Sequence, residues 1–180
     1  PKALAARAAL LRLNPGIEVE ARVERLTPQN FAALLAPADL VVDAADNFAA
    51  TYILSDACRA AGKPLVSASA IGLSGYAGAF CGGGPSYRAV FPEAPQNAGN
   101  CATVGVLGTV VAVLGGLEAH LVLQLLLGLT PSPLGRVITF DARRLAFGGF
   151  SFAGSPEPTE FAPFIAASAV ADTDLVVDLR

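Results

Sequence analysis

The sequence contains no methionine and no tryptophan, a single histidine and only three cysteines among its 180 residues. The cysteines Cys58, Cys81 and Cys101 are widely spaced and form no Cys-x-x-Cys pair, so they indicate neither a structural zinc site nor a disulfide framework. Because free thiols are typical of a reducing compartment, we expect a cytoplasmic protein. A chain that begins at Pro1 and has no methionine lacks a translation start, and we therefore expect a fragment of a longer protein.

Charged residues are also scarce, at 15% of the chain, and the formal net charge is -3. Without an excess of positive charge the protein has no electrostatic surface for a phosphate backbone, which argues against nucleic acid as a partner. The N-terminal segment has neither the apolar core nor the cleavage site of a signal peptide. The length predicts one main domain.

Apolar residues make up 53% of the chain, and the apolar run over residues 104–128 raises the alternative of a membrane-associated protein. A membrane span needs about 20 predominantly apolar residues, and Glu118 and His120 interrupt this run. Placing the Glu118 carboxylate near the bilayer centre would cost about 2.5 to 3.5 kcal/mol on insertion scales. We therefore expect a buried helix of a protein that does not enter the membrane.

Hydrophobic periodicity and turn residues predict alternating helices and strands. The predicted helices cover residues 3–13, 27–37, 48–62 and 102–127; the predicted strands cover residues 17–26, 40–42, 63–70 and 75–81, with a hairpin over residues 135–152. Strand, helix and strand at short spacing over residues 40–70 predict a βαβ unit and an α/β fold. Residues 72–100 are predicted to form a long loop around strand 75–81, of the length typical of a lid or binding loop.

Two acidic residues and an amide, Asp43, Asp46 and Asn47, follow the predicted strand over residues 40–42. In an open α/β sheet, ligands bind beyond the carboxyl ends of the strands. Carboxylates at that place can hold magnesium together with substrate phosphates. Alternatively, Asp46 and Asn47 only cap the helix that follows. The local sequence leaves these two interpretations equal.

Cys101 precedes the long predicted helix in the segment "NCATVGVLG". The N-terminus of a helix lowers the pKa of a thiol and favours the nucleophilic thiolate, whereas burial as a small unreactive side chain is the common alternative. The residues alone leave both interpretations open. We interpret Cys58 and Cys81 as core residues, His120 as a packed or surface histidine and Lys2 as a solvated lysine.

Four segments, in this order, resemble the second half of the ThiF/MoeB/HesA superfamily of bacterial relatives of ubiquitin-activating enzymes: "PKALAARAALLRLNP", "DLVVDAADNFAATYILSDACRAAGKPLVSASAIGLSGYAGAF", "NCATVGVLGTVVAVLGGLEAHLVLQLLLG" and "GRVITFDA". The resemblance covers residues 1–152. It implies the C-terminal part of a Rossmann-like ThiF/MoeB adenylating fold, without the N-terminal nucleotide-binding βαβ unit. Residues 153–180 are then a Pro-rich linker, followed by a tail that faintly resembles the start of a rhodanese-like domain.

The resemblance implies an ATP-dependent adenylyltransferase that activates the C-terminal glycine of a ubiquitin-like sulfur carrier protein, for sulfur transfer into thiamine or molybdopterin. Matched residue by residue, Lys2 would reach the ATP phosphates, Asp46 and Asn47 would bind magnesium and nucleotide, and Cys101 would form a covalent adduct with the carrier. The implied cofactors are ATP and magnesium. The implied partners are the carrier protein and a second copy of the chain in a homodimer.

The chain also departs from the family pattern. Thr51 stands where the family has an arginine, and "EAHLVLQ", residues 118–124, replaces the usual "QAxExxK". The two cysteine pairs of zinc-binding members are replaced by Ser86–Ala89 and by "SPEP" at residues 155–158, so we do not expect zinc. These departures favour, as an alternative function, a non-catalytic scaffold that binds the carrier. Without the nucleotide loop, the fragment alone is expected to be inactive.

Overall fold

The computed structural model describes residues 1–94 and 105–176, which form a five-stranded sheet with helices on both faces. This confirms the predicted α/β class. The helices are α1 (Lys2–Leu13), α2 (Phe31–Leu35), α3 (Phe48–Ala60) and α4 (Gly108–Leu126), with short 3-10 turns at Tyr87–Ala89 and Ala167–Ala169. The strands are β1 (Val41–Asp43), β2 (Pro64–Ile71), β3 (Ser74–Cys81), β4 (Arg136–Asp141) and β5 (Ala146–Ser151).

The strands lie in the sheet in the order in which they occur in the chain, β1-β2-β3-β4-β5. β1 and β2 are parallel, with Val42 opposite Val66, and α3 connects them, which confirms the predicted βαβ unit. The remaining pairs are antiparallel, and the predicted hairpin over residues 135–152 is formed by β4 and β5. The carboxyl ends of β1 and β2 therefore meet at one edge of the sheet.

Helix α4 covers one face of the sheet. Its buried Val110, Leu114 and Leu121 pack on small apolar side chains of β2 and β3 such as Ala77. A Cβ atom at Gly75, on β3, would collide with the Leu114 side chain and with the Ser69 carbonyl oxygen. Helix α4 can therefore approach the sheet closely only because this position is glycine.

Helix α3 packs on the opposite face against a core that is rich in aromatic rings. The Tyr87 ring meets the edges of Tyr52 and Phe80 at centroid distances of 5.3 and 5.2 Å. Cys58 and Cys81 are buried in this core, and burial raises the pKa of their thiols to about 12 and about 11. Both thiols are therefore protonated at neutral pH, which confirms that they are core residues.

Arg88 connects three parts of this face, although only 4% of its surface is exposed. Its Nε and Nη2 donate to the two carboxylate oxygens of Asp56 on α3, at 2.6 and 2.9 Å. The guanidinium carbon lies 4.7 Å from the Tyr52 ring centroid and 4.2 Å from that of Phe161. The buried charge is therefore paired, and aromatic faces cover it on both sides.

Glu157 makes a second connection to the C-terminal segment. Its carboxylate accepts hydrogen bonds from the backbone N–H and the hydroxyl of Ser86, at 2.7 and 2.6 Å, and pairs with Arg59 at 2.7 Å. Residues 86–89 and 155–158 are the two segments in which the resemblance places cysteine pairs in zinc-binding members. In this chain a hydrogen-bonded carboxylate joins them. The division between residues 1–152 and 153–180 stays a prediction.

The strand predicted over residues 17–26 is wrong, because these residues have no regular structure. Alternating apolar and charged residues also suit an exposed extended segment. Arg22 lies 2.8 Å from Glu20 and 3.8 Å from Glu24, and all three side chains are largely in solvent. Within the described ranges, 1–94 and 105–176, this segment pairs with no strand, and a strand needs a neighbour for its backbone hydrogen bonds.

Two predicted helices start later than expected. The Thr27 N–H donates to Asn30 Oδ1 at 2.9 Å and the Asn30 N–H to Thr27 Oγ1 at 3.4 Å, so these residues close a turn and α2 begins only at Phe31. The long helix begins at Gly108 because residues 105–107 bond to Gly72 in the turn between β2 and β3.

The long loop predicted over residues 72–100 is partly core in its described part, residues 72–94, and its last six residues lie outside the described ranges. Strand 75–81 is confirmed, and Ser86, Tyr87 and Arg88 are buried against α3. Aromatic packing explains this, because the Tyr87 ring packs against the Phe91 ring in a tilted arrangement, at a centroid distance of 4.7 Å.

By length and composition alone, α4 could cross a membrane. Its inner face is occupied by the sheet, and the carboxyl group of Glu118 lies within the helix at a buried position. Its outer face exposes Leu123 and Leu126. One such helix is weak support for a membrane span, since a core helix has the same length and composition.

The paired guanidinium predicts a large loss of stability on substitution. Arg88→Met should lower the free energy of unfolding by about 3 kcal/mol, because it leaves the Asp56 carboxylate without its partner. Arg59→Met is the matched control; Arg59 is 49% exposed, so we expect a loss below about 1 kcal/mol. Urea unfolding curves measure both values, and equal losses would show that the Arg88 pair has no special role.

Candidate functional site

A cavity of about 580 Å³ lies between α4 and the carboxyl ends of β1 and β2. Its polar lining residues are Asp46, Asn47, Thr51, Ser69, Tyr76 and Glu118, and alanine and other apolar residues form the rest of the wall. A more open depression of about 930 Å³ lies between the start of α3 and residues 164–168, and none of its described lining residues is acidic. The first cavity combines acidic groups with the strand ends at which α/β sheets bind ligands, so it is the candidate site.

Asp43 fixes the backbone at the entrance to this site. It is the last residue of β1 and is buried, with 2% of its surface exposed. Its two carboxylate oxygens accept from the Ala45 N–H at 3.1 Å and from the Ser67 hydroxyl on β2 at 3.0 Å. The Asp43 carboxylate therefore joins the ends of both parallel strands and sets the direction of the turn that carries Asp46.

Asp46 and Asn47 both line the cavity, but they are bonded differently. Asn47 is the N-cap of α3, and its Oδ1 accepts from the Ala50 N–H at 2.9 Å. The capping interpretation is therefore correct for the Asn47 oxygen. Asp46 is exposed, and its carboxylate makes no hydrogen bond or ion pair with any residue in the described ranges. With respect to the residues that the structure describes, Asp46 therefore keeps both oxygens available for a ligand, whereas Asn47 does not.

Glu118 brings a second carboxyl group to the cavity, from α4. It is 7% exposed, and its Oε1 has no hydrogen-bond partner in the part of the chain that the structure describes. Burial, and next the negative charge of Asp43, raise the pKa of this carboxyl to about 7, while a hydrogen bond with the Ala68 backbone lowers it. Near neutral pH, Glu118 is therefore present in both charge states.

The cavity lining also includes neutral hydroxyl groups, those of Thr51, Ser69 and Tyr76. The Tyr76 and Tyr87 hydroxyl oxygens lie 2.7 Å apart, and burial raises the pKa of Tyr76 to about 12. Tyr76 therefore stays protonated and can bind only as a neutral group. Thr51, at the position of the family arginine, is buried and lines the same cavity.

The other residues named from the sequence lie elsewhere. Lys2 is exposed on α1 and is not among the described residues that line the cavity. His120 is exposed on α4, as a surface histidine would be. Cys101 lies outside the described residues, and α4 begins seven positions after it in the sequence. Of the four predicted site residues, the structure thus places Asp46 and Asn47 in the cavity lining.

Glu118 is not among the site residues predicted from the sequence. In the sequence it stands out as an interruption of an apolar run and as the first residue of the segment that departs from the family's "QAxExxK". A stronger signal was present, because Glu118 is the only charged residue of α4. A carboxyl group within an otherwise apolar helix lies either on the surface or at a functional position.

The raised pKa predicts a pH-dependent effect of Glu118→Gln. Folding raises the pKa from its ordinary 4.5 to about 7, so ionisation of Glu118 destabilises the folded state. This cost is absent below pH 4.5, grows between pH 4.5 and 7 and is complete above pH 7. The stability of the Gln variant relative to the original protein should therefore rise across this window, by about 3 kcal/mol.

Thermal or urea unfolding at pH 5 and pH 8 measures this change. Glu160→Gln, at an exposed glutamate, is the matched control and should show no comparable change between the two pH values. A Glu118→Gln effect that is the same at both pH values would contradict the raised pKa.

Comparison with known proteins identifies relatives over most of the chain. The model of the ThiF family matches residues 1–159. The chain is 46% identical over 146 residues to the adenylyltransferase and sulfurtransferase MOCS3 of Bos taurus, which covers 79% of this chain and 32% of that protein. It is 37% identical to the SAMP-activating enzyme E1 of Haloferax volcanii, over 87% of this chain and 59% of that protein. It is 38% identical to the sulfur carrier protein adenylyltransferase of Thermus thermophilus, over 89% of this chain and 65% of that protein.

The chain thus spans about a third of the length of the MOCS3 relatives. Among solved structures, E. coli MccB with MccA-N7isoASN superposes with a TM-score of 0.71 over 85% of this chain and 49% of that chain, at 16% identity. At this identity the superposition shows a shared fold. The family match over residues 1–159, supported by these relatives, shows that the chain belongs to the ThiF family.

Proposed function

We propose that the chain is part of an enzyme that uses ATP to adenylate the C-terminal glycine of a ubiquitin-like sulfur carrier protein. The observation that carries this proposal is the acidic cavity at the carboxyl ends of β1 and β2, in a chain of the ThiF family. The names of the relatives from Bos taurus and Thermus thermophilus, both adenylyltransferases, support it. Sulfur transfer into thiamine or molybdopterin is the process that such activation would serve.

In the proposed reaction, a carboxylate oxygen of the carrier's terminal glycine attacks the α-phosphorus of ATP. A phosphorus–oxygen bond to the carrier forms as the bond to pyrophosphate breaks, which gives an acyl-adenylate and free pyrophosphate. Negative charge builds up on the phosphates during this step and must be offset. Lys2 is the proposed source of positive charge from this chain, although it does not line the described cavity.

Asp46 suits the magnesium ion that such a reaction requires. Mg²⁺ prefers one or two carboxylates and takes its remaining ligands from phosphates and water. The exposed Asp46 carboxylate makes no bond to any residue in the described part of the chain and lies beside Asn47, so it can serve as that carboxylate. When bound, magnesium would neutralise phosphate charge. The role of this chain is to hold Asp46 in place through Asp43 and the start of α3.

Cys101 is the proposed nucleophile of a later step. Its thiolate would attack the carbonyl carbon of the acyl-adenylate, AMP would leave, and a thioester would join the carrier to the protein. Cys58 and Cys81 do not suit this role, since both are buried in the core with raised pKa values.

A homodimer in the cytoplasm completes the proposal. The outer face of α4 exposes Leu123 and Leu126, and Leu127 is exposed directly after the helix; these side chains suit contact with a second copy of the chain. The alternative function, a scaffold that binds the carrier without chemistry, is favoured by one observation. A buried Thr51 occupies the position at which the family has an arginine, so one positive charge is missing from the cavity.

Asp46→Asn in the full-length protein tests the proposed reaction. We expect carrier-dependent exchange of pyrophosphate into ATP to fall at least about a hundredfold, because the variant loses the charge that holds magnesium. Asp39→Asn is the matched control, since Asp39 is an exposed aspartate before β1 and lies outside the cavity lining. Unchanged exchange by the Asp46 variant would refute the assignment. Carrier binding without exchange by the original protein would select the scaffold.

Cys101→Ser tests the covalent step separately. Adenylation should continue at close to its original rate, whereas the thioester-linked adduct should disappear from intact-protein mass spectra. Peptides that contain Cys58 and Cys81 provide an internal control and should carry no adduct. An adduct that persists in the Ser variant would place the nucleophile at another residue.

A further inference from the structure

Glu118 has an oxygen that the described protein leaves without a partner. A buried carboxyl group without a partner destabilises a folded protein, unless a bound molecule supplies the missing hydrogen bond. The group is more than nine-tenths buried and lines the cavity of about 580 Å³. A ligand in this cavity can therefore reach an oxygen that no described residue uses.

The charge at this position determines which part of a substrate can bind there. Glu118 and Asp46 both line the cavity, and Asp43 lies close enough to disfavour ionisation of Glu118. No lysine, arginine or histidine is among the described lining residues. Residues 95–104, outside the described ranges, contain none either. The environment of Glu118 therefore disfavours a phosphate group.

A peptide backbone suits the same environment. It is uncharged, and each residue offers both an N–H donor and a carbonyl acceptor. An ionised Glu118 can accept a hydrogen bond from a backbone N–H, and a protonated Glu118 can donate one to a backbone carbonyl oxygen. The small side chains around the group, including Ala68, Ala70 and Gly115, leave space for a main chain beside the carboxyl. A Cβ atom at Gly115 would meet nothing within 4 Å.

We infer that Glu118 is a specificity-determining residue, which hydrogen-bonds the backbone of the peptide substrate and keeps ATP phosphates away from the α4 side of the cavity. This inference rests on the proposed function, since it assigns the two substrates to different sides of one site. Asp46 then serves the nucleotide, and Glu118 serves the extended C-terminal tail of the carrier.

Equilibrium binding to the full-length protein tests the inference without any chemistry. The probe is a fluorescein-labelled synthetic hexapeptide that ends in Gly-Gly with a free carboxylate, and fluorescence anisotropy gives its dissociation constant. Glu118→Met, which removes the hydrogen-bonding atoms, should weaken peptide binding about tenfold or more. Glu118→Gln, which keeps a donor and an acceptor, should bind within about threefold of the original protein. The affinity of Glu118→Met for ATP should be equal to or higher than that of the original protein, because the substitution removes a negative charge and no contact with the phosphates.

The thermal stability of Glu118→Met distinguishes a binding role from a structural one. If Glu118 serves a ligand, Glu118→Met should raise the melting temperature while it weakens peptide binding, because it removes a buried carboxyl group whose Oε1 has no partner among the described residues. A lower melting temperature together with unchanged peptide affinity would overturn the inference. Weaker ATP binding with an unchanged peptide affinity would overturn it as well.

Steric variants keep the test decisive if substitution of Glu118 prevents folding. Gly115→Leu would place a side chain in the cavity and should abolish peptide binding. Gly116→Leu is the matched control, because this neighbouring glycine also has open space around it but does not line the cavity. Equal peptide affinities for the two variants would overturn the inference.

The outcomes also separate this inference from the proposed function. If the full-length protein shows no pyrophosphate exchange but binds the peptide in a Glu118-dependent way, the proposed reaction fails and the role of Glu118 stands. If exchange is observed but Glu118→Met and Gly115→Leu bind the peptide as tightly as the original protein does, only the role of Glu118 is refuted.

Discussion

The buried ion pair between Arg88 and Asp56 is the interaction on which one whole side of the structure depends. It joins α3, the segment after β3 and the C-terminal segment, and the rings of Tyr52 and Phe161 cover its two faces. A guanidinium so deeply buried is tolerable only when several groups share its charge and hydrogen bonds. Glu157 strengthens the same connection through Ser86. The hydrogen bonds between Glu157 and Ser86 thus connect the two segments in which zinc-binding members of the family carry cysteine pairs.

Fixing α3 on one face of the sheet also fixes the candidate site. The N-cap of α3 is Asn47, and the turn before it is held by the Asp43 carboxylate, which bonds to both parallel strands. Helix α4 approaches from the other face because Gly75 leaves room for it. The cavity is therefore bounded by elements that pack on opposite faces of the sheet. Its two acidic groups come from these two sides: Asp46 from the turn before α3 and Glu118 from α4.

The sequence predicted most of the regular elements, since their patterns are local. Helix α3, strands β2 and β3 and the β4–β5 hairpin have periodicity and turn residues that a short window contains. The failures occurred where the outcome depends on a distant partner. Residues 17–26 have a strand-like alternation but no neighbouring strand in the described chain, and Ser86–Arg88 are buried because α3 supplies Asp56 and Tyr52.

For the site, the sequence by itself determined that Asp46 and Asn47 follow a strand end, and its motifs identified the family that the comparison then showed. Only the tertiary structure decided that Asn47 uses its oxygen to cap α3 while Asp46 bonds to no residue within the described ranges. It also decided that Glu118, more than 70 positions away in the sequence, shares their cavity. Sequence patterns report which face of an element is apolar, because burial follows local periodicity. They do not report which faces pack together, and both the raised pKa of Glu118 and the lack of a described partner for its Oε1 result from the packing of α4 on the sheet.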